Sequence, residues 1–195
     1  MSASYSYLFL TLKRGANPHA ALAAQLKSEA TRRDGAELVG QFAPQLGWAS
    51  NEAAVLLRFA ENRGGLFSST GLVDAMRPET LSPTLRPGGA DVLAPGGIYV
   101  HRWFEMDAAA VDEFVALSAQ GWERFEAQFD ARIFGLFRAA PSHADRELAR
   151  LLLITRYGDH GVWEASRDPT TEAMQIFARR QQLTRRSWAA SSRLI

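Results

Sequence analysis

The sequence predicts an α+β fold in which one small antiparallel unit occurs twice. Three observations carry this. First, a strand-like run at Tyr7-Leu8-Phe9-Leu10-Thr11-Leu12 is followed by a helical segment and by two further strand-like runs ending at Leu57-Arg58-Phe59. Second, the same series returns about 92 to 98 residues later, from Tyr99-Val100-His101-Arg102-Trp103-Phe104 to Thr155-Arg156-Tyr157, and self-similarity at a fixed offset marks a repeated architecture. Third, the proline- and glycine-rich stretch from Arg86-Pro87-Gly88-Gly89 to Pro95-Gly96-Gly97 separates the two series and reads as a linker. The expected units are residues 1–90 and 96–195.

The first unit opens on a strand at 5–12. Tyr5, Tyr7, Phe9 and Thr11 fall on one face and Ser6, Leu8, Leu10 and Leu12 on the other, the period of a strand. The aliphatic side suits a helix layer, leaving the aromatic side for something else. Asn17-Pro18 starts a helix, with a good capping residue before proline at the first helical position; it runs to about Arg33, and Asp34-Gly35 ends it. Strands are expected at 37–46 and 53–59 around a turn at Ser50-Asn51-Glu52, the first bulged or at an edge because of Pro44. Asn62 to Gly71 reads as a loop, Leu72–Met76 as a short helix and Leu81–Leu85 as a brief strand.

The second unit opens on a strand at Ile98–Met106. Asp107 then caps a helix whose inward positions are Val111, Phe114, Val115, Ser118, Trp122 and Phe125, an amphipathic spacing. Strands at 130–138 and 148–157 flank a polar turn at Ser142-His143-Ala144-Asp145. Asp168-Pro169 starts a last helix with Ile176, Phe177 and Leu183 inward, and Ser192–Ile195 closes as a short strand. Each unit therefore reads β-α-β-β-α-β, the ferredoxin-like order. An aromatic sheet face cannot be left bare, so the two sheets pack on each other. The predicted architecture is a pair of tandem ferredoxin-like repeats forming an intramolecular, pseudo-dimeric α+β barrel with antiparallel sheets.

Composition narrows the function classes. The chain has 195 residues, 47% apolar and 22% charged, with a net charge of +1, so no electrostatic pull toward nucleic acid or a membrane surface is expected. With no cysteine, thiolate metal sites, iron–sulfur clusters and a cysteine nucleophile are excluded. The segment Met1-Ser2-Ala3-Ser4-Tyr5 has neither a basic nor an apolar leader character, and the expected location is cytoplasmic. No apolar run reaches the roughly 20 residues of a membrane span.

Gly97 to Trp103, Arg156-Tyr157 and Val162-Trp163-Glu164-Ala165-Ser166-Arg167-Asp168 together resemble the NIPSNAP family of the dimeric α+β barrel superfamily. The tryptophan followed four residues later by arginine is the most characteristic part. The resemblance covers mainly residues 97–195; its counterpart in the first unit, near Asn62 to Leu66, lacks the tryptophan. It implies a barrel with a central cavity. The wider superfamily includes cofactor-free monooxygenases, small-molecule isomerases and haem proteins, while NIPSNAP members are mostly uncharacterised or described as interaction proteins.

On the second opening strand, Tyr99, His101, Trp103 and Glu105 share a face, and Tyr7 and Phe9 occupy the matching face of the first. Apolar bulk with a few polar groups suits a small-molecule pocket, and equally a filled inter-sheet core. His101 is the candidate catalytic residue, since imidazole titrates near neutrality; Glu105, two positions on, lies within reach of a water bridge at best. Arg58 and Arg156 match at the ends of the third strands and suit an anionic group or a strand-end ion pair. Trp163 and Arg167 share one face of a helical turn, where the guanidinium stacks on a ring at a pocket mouth or as a structural cap. Arg179-Arg180 and Arg185-Arg186 read as a solvated basic stripe on the last helix. The glycine doublets match no phosphate-binding fingerprint.

The expected function is a small-molecule-binding barrel supporting cofactor-free oxygenation or proton transfer on a hydrophobic or aromatic substrate. His101 would move the proton, Tyr7, Phe9, Tyr99 and Trp103 would shape the pocket, and Arg156, Trp163 and Arg167 would hold the ligand. One alternative is a non-catalytic interaction or structural protein; a second is a haem-binding barrel with His101 as axial ligand. No cofactor or metal is expected, and a homodimer is.

Overall fold

The computed structural model describes residues 4–29, 36–59, 71–89, 91–141 and 147–195. The expected helix end at Asp34-Gly35, the loop from Asn62 to Ser69 and the turn at Ser142 to Asp145 lie outside them. In order the elements are β1 (Ser4–Leu12), α1 (Pro18–Glu29), β2 (Ala36–Leu46), β3 (Glu52–Phe59), β4 (Val73–Pro83), β5 (Ile98–Asp107), α2 (Val111–Gln128), β6 (Ala131–Ala139), β7 (Leu148–Tyr157), α3 (His160–Ala165), α4 (Glu172–Gln182) and β8 (Thr184–Leu194). A short 3₁₀ turn, Ala108–Ala110, leads into α2.

The eight strands close one barrel in the order β1-β3-β2-β8-β5-β7-β6-β4, and every pairing is antiparallel. The two halves share one order: β4-β1-β3-β2 in the first and β8-β5-β7-β6 in the second. Within each half the ladders are long; β5 pairs with β7 from Ile98↔Tyr157 to Asp107↔Leu148. The seams between halves are short: Phe42↔Leu194 to Leu46↔Ser191 on one side, Leu81↔Ala139 to Pro83↔Phe137 on the other. Closure removes the sheet edges, so the barrel needs no second copy of the chain.

The alternation read from the sequence places the layers. Leu8, Leu10 and Leu12 of β1 pack with Leu22 and Leu26 of α1. Ile98, Val100, Phe104 and Met106 of β5 pack with Phe114, Trp122 and Phe125 of α2. Tyr5, Tyr7, Tyr99 and Trp103 point the other way and meet inside the barrel with Phe42, Phe134, Phe137 and Leu152. Asn17 takes a left-handed conformation (φ 54°) and its Oδ1 accepts the Ala20 N–H at 3.3 Å, fixing the start of α1.

Four local expectations are corrected. Leu72–Met76 is not a helix; Val73 opens β4, which runs unbroken to Pro83, because β1 supplies a ladder from Tyr5↔Leu81 to Leu12↔Val73. The last helix starts not at Asp168 but at Thr171, whose hydroxyl accepts the Met174 N–H; Asp168 instead closes a turn on Thr170. The final strand is eleven residues rather than four, so Arg185 and Arg186 stand on β8 and not on a helix. Asp107 makes no side-chain cap and pairs with Arg185. Pro44 does sit at a bulge, against β8, but β2 is paired on both sides.

Gly97 ends the linker at φ 72°, where a Cβ would run into the backbone carbonyl of Tyr157. Gly15 has open space around it. Gly97→Ala is therefore expected to lower the unfolding free energy by about 2 kcal/mol, and Gly15→Ala to leave it nearly unchanged, in urea denaturation of the two variants beside the wild type.

Candidate functional site

Five of the residues singled out in the sequence meet inside the barrel. The Tyr7 ring contacts Phe9 at 4.8 Å, His101 at 5.6 Å and Trp103 at 5.9 Å between centroids, each edge-to-face. Phe42 adds edge-on contacts to Tyr99 at 5.4 Å and His101 at 4.6 Å, and Trp48 one to His101 at 5.7 Å. Rings in these arrangements attract beyond their buried area. Phe9 is only partly buried and carries the Arg77 guanidinium 4.0 Å from its centroid.

His101 lies at the centre of this cluster, 1% exposed. Its Nδ1 is 3.0 Å from the Tyr7 hydroxyl, and its Nε2 is 2.7 Å from Ser192 Oγ. Both ring nitrogens are thus engaged. Burial lowers its pKa to about 3, because the imidazolium would lose its hydration with no carboxylate beside it. Burial likewise raises the Tyr7 phenol well above its ordinary value. The pair is neutral across the physiological range. Glu105 shares the face but stands toward the strand end, in register with Arg150 and Arg186.

The opposite face of β5 meets a different environment. A cavity of about 200 Å³ lies between the second sheet and the helices, walled by Val100, Phe125, Ile133, Leu153 and Phe177. Its polar lining comes from Thr155, Tyr157, Arg102, Arg167 and Arg180. The sequence fold places them simply. Arg102 is the one charged residue on the outward face of β5, Thr155 and Tyr157 share a face of β7, and Arg180 follows Ala173 and Ile176 along the buried stripe of α4. Arg180 is 7% exposed. Its guanidinium lies 4.3 Å from the Phe177 centroid, 5.1 Å from Phe114 and 5.3 Å from Phe104, and donates to Ser118 Oγ at 3.2 Å. Burial first, and then the Arg102 charge, lower its pKa to about 9. The solvated stripe expected of Arg180 is thereby corrected: spacing put it on the apolar side of its helix.

Arg167 lines the same cavity, donating to the Tyr157 hydroxyl at 3.1 Å and lying over the Trp163 ring at 5.7 Å. The stacked pair is as expected, though Trp163 is not itself among the cavity walls. Arg156 stands apart from the cavity, donating to Asp130 Oδ1 at 3.1 Å and to the Gly96 carbonyl at 3.3 Å. Arg58 is paired in the same way with Glu37. The expected site residues thus divide: Tyr7, Phe9, Tyr99, His101 and Trp103 in the barrel, Arg167 at the cavity with Trp163 behind it, and Arg156 at the linker. Arg102, Thr155 and Arg180 are cavity residues that the sequence reading assigns to no site. An arginine amid Ile98, Val100 and Phe104, and another four residues after Ile176, were the available signals.

The sequence matches no protein-family model and no curated protein. Solved structures do match over essentially the whole chain. An anthrone oxidase-like protein aligns with a TM-score of 0.64 at 12% identity, covering 100% of this chain and 92% of that one. A candidate monooxygenase from Lactobacillus acidophilus NCFM gives 0.62 at 8%, covering 100% and 94%. A ferredoxin-fold protein related to antibiotic biosynthesis monooxygenases, from Listeria monocytogenes, gives 0.53 at 10%, covering 100% and 96%. At such identities the likeness establishes the fold. The shared architecture is the ferredoxin-like α+β barrel; membership of the NIPSNAP family is not shown. No helix among the described residues is long and apolar enough to cross a membrane.

His101 gives the fold a pH dependence. Its folded pKa of about 3 lies below the ordinary 6.5, so the unfolded chain binds the extra proton first. The stability it contributes is complete above pH 6.5 and is lost as pH falls toward 3, at up to about 1.4 kcal/mol per unit. Urea denaturation at pH 7, 6 and 5 is expected to show this slope in the wild type. It should be largely absent in His101→Gln, whose amide does not titrate.

Proposed function

We propose that this chain is a small-molecule-binding α+β barrel whose ligand occupies the cavity between the second sheet and helices α2 and α4. The observation that carries this reading is the cavity itself: about 200 Å³, with apolar walls and a few converging polar groups, the constitution of a small-ligand site. Its size suits a compact molecule, since a cavity of about 150 Å³ holds a benzene ring. Neighbours described as anthrone oxidase-like and as a candidate monooxygenase agree with a barrel that takes small organic molecules, and an oxygenation or proton-transfer chemistry on a hydrophobic or aromatic ligand is consistent with them.

In this reading His101 shapes the barrel and does not touch the ligand. Val100 and Arg102 reach the cavity, and successive strand residues point to opposite faces, so the sheet stands between His101 and the cavity. An imidazole with a pKa of about 3 is also a weak base for proton abstraction. Haem ligation through either ring nitrogen of His101 would first break the buried hydrogen bond which that nitrogen makes. Binding, rather than a named reaction, is what the geometry supports best.

Ala178 is exposed on α4 and lines the cavity, so a bulky side chain there closes the cavity from its rim without disturbing the core. Native mass spectrometry of the freshly purified protein is expected to show a retained small molecule, or one taken up from a panel of single-ring compounds. Ala178→Trp should fold with a melting temperature within a few degrees of wild type and bind at least tenfold more weakly. Equal binding by Ala178→Trp would place the ligand elsewhere. No binding by either protein would favour a non-catalytic interaction role.

A further inference from the structure

We propose that the cavity is built for an organic acid: a carboxylate head held by Arg102, Arg167 and Arg180, with a compact apolar body against Val100, Phe125, Ile133 and Leu153. This rests on the binding reading above and adds the chemical class of the ligand.

Eight other arginines, among them Arg58, Arg86, Arg150 and Arg156, each have a carboxylate within ion-pair distance. Among the described residues the exposed Arg14, Arg138, Arg179, Arg186 and Arg193 have none, and neither do Arg102, Arg167 and Arg180, which are less exposed and line one cavity. Three like charges thus meet at one cavity, Arg180 buried and Arg102 and Arg167 partly so, and no counter-charge stands beside them among the described residues. Buried cations are costly unless paired. The rings of Phe104, Phe114 and Phe177 offset part of that cost for Arg180, but ring faces leave N–H donors unused.

Donor accounting points the same way. A guanidinium carries five N–H donors. Arg180 has one hydrogen bond, to Ser118 Oγ. Arg102 has no hydrogen-bond partner among the described residues. Trp122, also a cavity wall and 3% exposed, has no partner for its buried indole N–H among the described residues. Arg167 is the only one of the four with two partners, Tyr157 and Ser166. Surplus donors facing a deficit of acceptors match a carboxylate, which accepts through two oxygens and pairs with guanidinium in a two-pronged geometry. A second cavity of about 200 Å³, beside Phe9 and Trp48, offers a contrast: its arginine, Arg77, is held by Glu79 at 2.8 Å. Charge is left unpaired at one of the two.

Arg180→Met separates a binding role from a structural one. Methionine is nearly as long, packs on the three phenyl rings and leaves Ser118 bonded to the Phe114 carbonyl. Benzoate and its neutral counterpart benzamide are the probes, read by calorimetry and by melting temperature. Benzoate is expected to bind wild type at least tenfold more tightly than benzamide. Arg180→Met should melt at or above the wild-type temperature without ligand, and should lose that tenfold preference. Equal affinity of the two probes for wild type would overturn the acid assignment and leave the binding reading standing. Binding of neither would overturn both. A benzoate preference undiminished in Arg180→Met, or a variant that melts well below wild type, would show that Arg180 is structural and overturn its place in the site.

Discussion

The structure depends on β5. It is paired along its whole length with β7 and over most of it with β8, so its side chains cannot change face without breaking two ladders. A one-residue slip would exchange every inward residue for an outward one. That constraint sends Tyr99, His101 and Trp103 into the barrel and Val100, Arg102 and Phe104 to the helix layer. The same alternation in β1 fills the barrel from the opposite side with Tyr5 and Tyr7. The barrel interior and the sheet–helix cavity are therefore two faces of one strand, and each constrains the other.

The two faces are treated differently. Inside the barrel, the polar groups of the Tyr7–His101–Ser192 chain satisfy one another, which is what a buried network needs if it is to specify a unique packing. On the outer face, the polarity is left open. Arg180 packs on aromatic rings with a single hydrogen bond, and Arg102 has no acceptor among the described residues. Sites that trade stability for binding have this character: a group whose unliganded state is unfavourable is stabilised by what it binds.

Much of the architecture was legible because period two is a strong signal when one face is aromatic and the other aliphatic, as in Tyr5 to Leu12 and Ile98 to Met106. The first part of β4 was not, because Arg77-Pro78-Glu79 interrupts any pattern and the ladder to β1 holds it extended; its end, expected as a strand from Leu81, pairs with β6 as well. The site was legible in its composition and not in its location. Aromatic residues on an inward face announce a pocket or a core with equal force, and here the rings meet at 4.6 to 5.9 Å. The residues that line the cavity were marked instead by a conflict between charge and position. Arg102 lies on an aliphatic face, and Arg180 is in step with Ala173 and Ile176. A run such as Arg179-Arg180 is easily read as one exposed patch, although consecutive helix residues point about 100° apart and only the second is buried.

The most direct test of this account is the position of a heavy-atom ligand. Crystals grown with 4-bromobenzoate, measured at the bromine absorption edge, should give one anomalous peak between β5, β7 and α4, with the carboxylate toward Arg102 and Arg180. A peak among Tyr7, Phe9, Trp103 and His101, or a carboxylate turned away from the arginines, would contradict it.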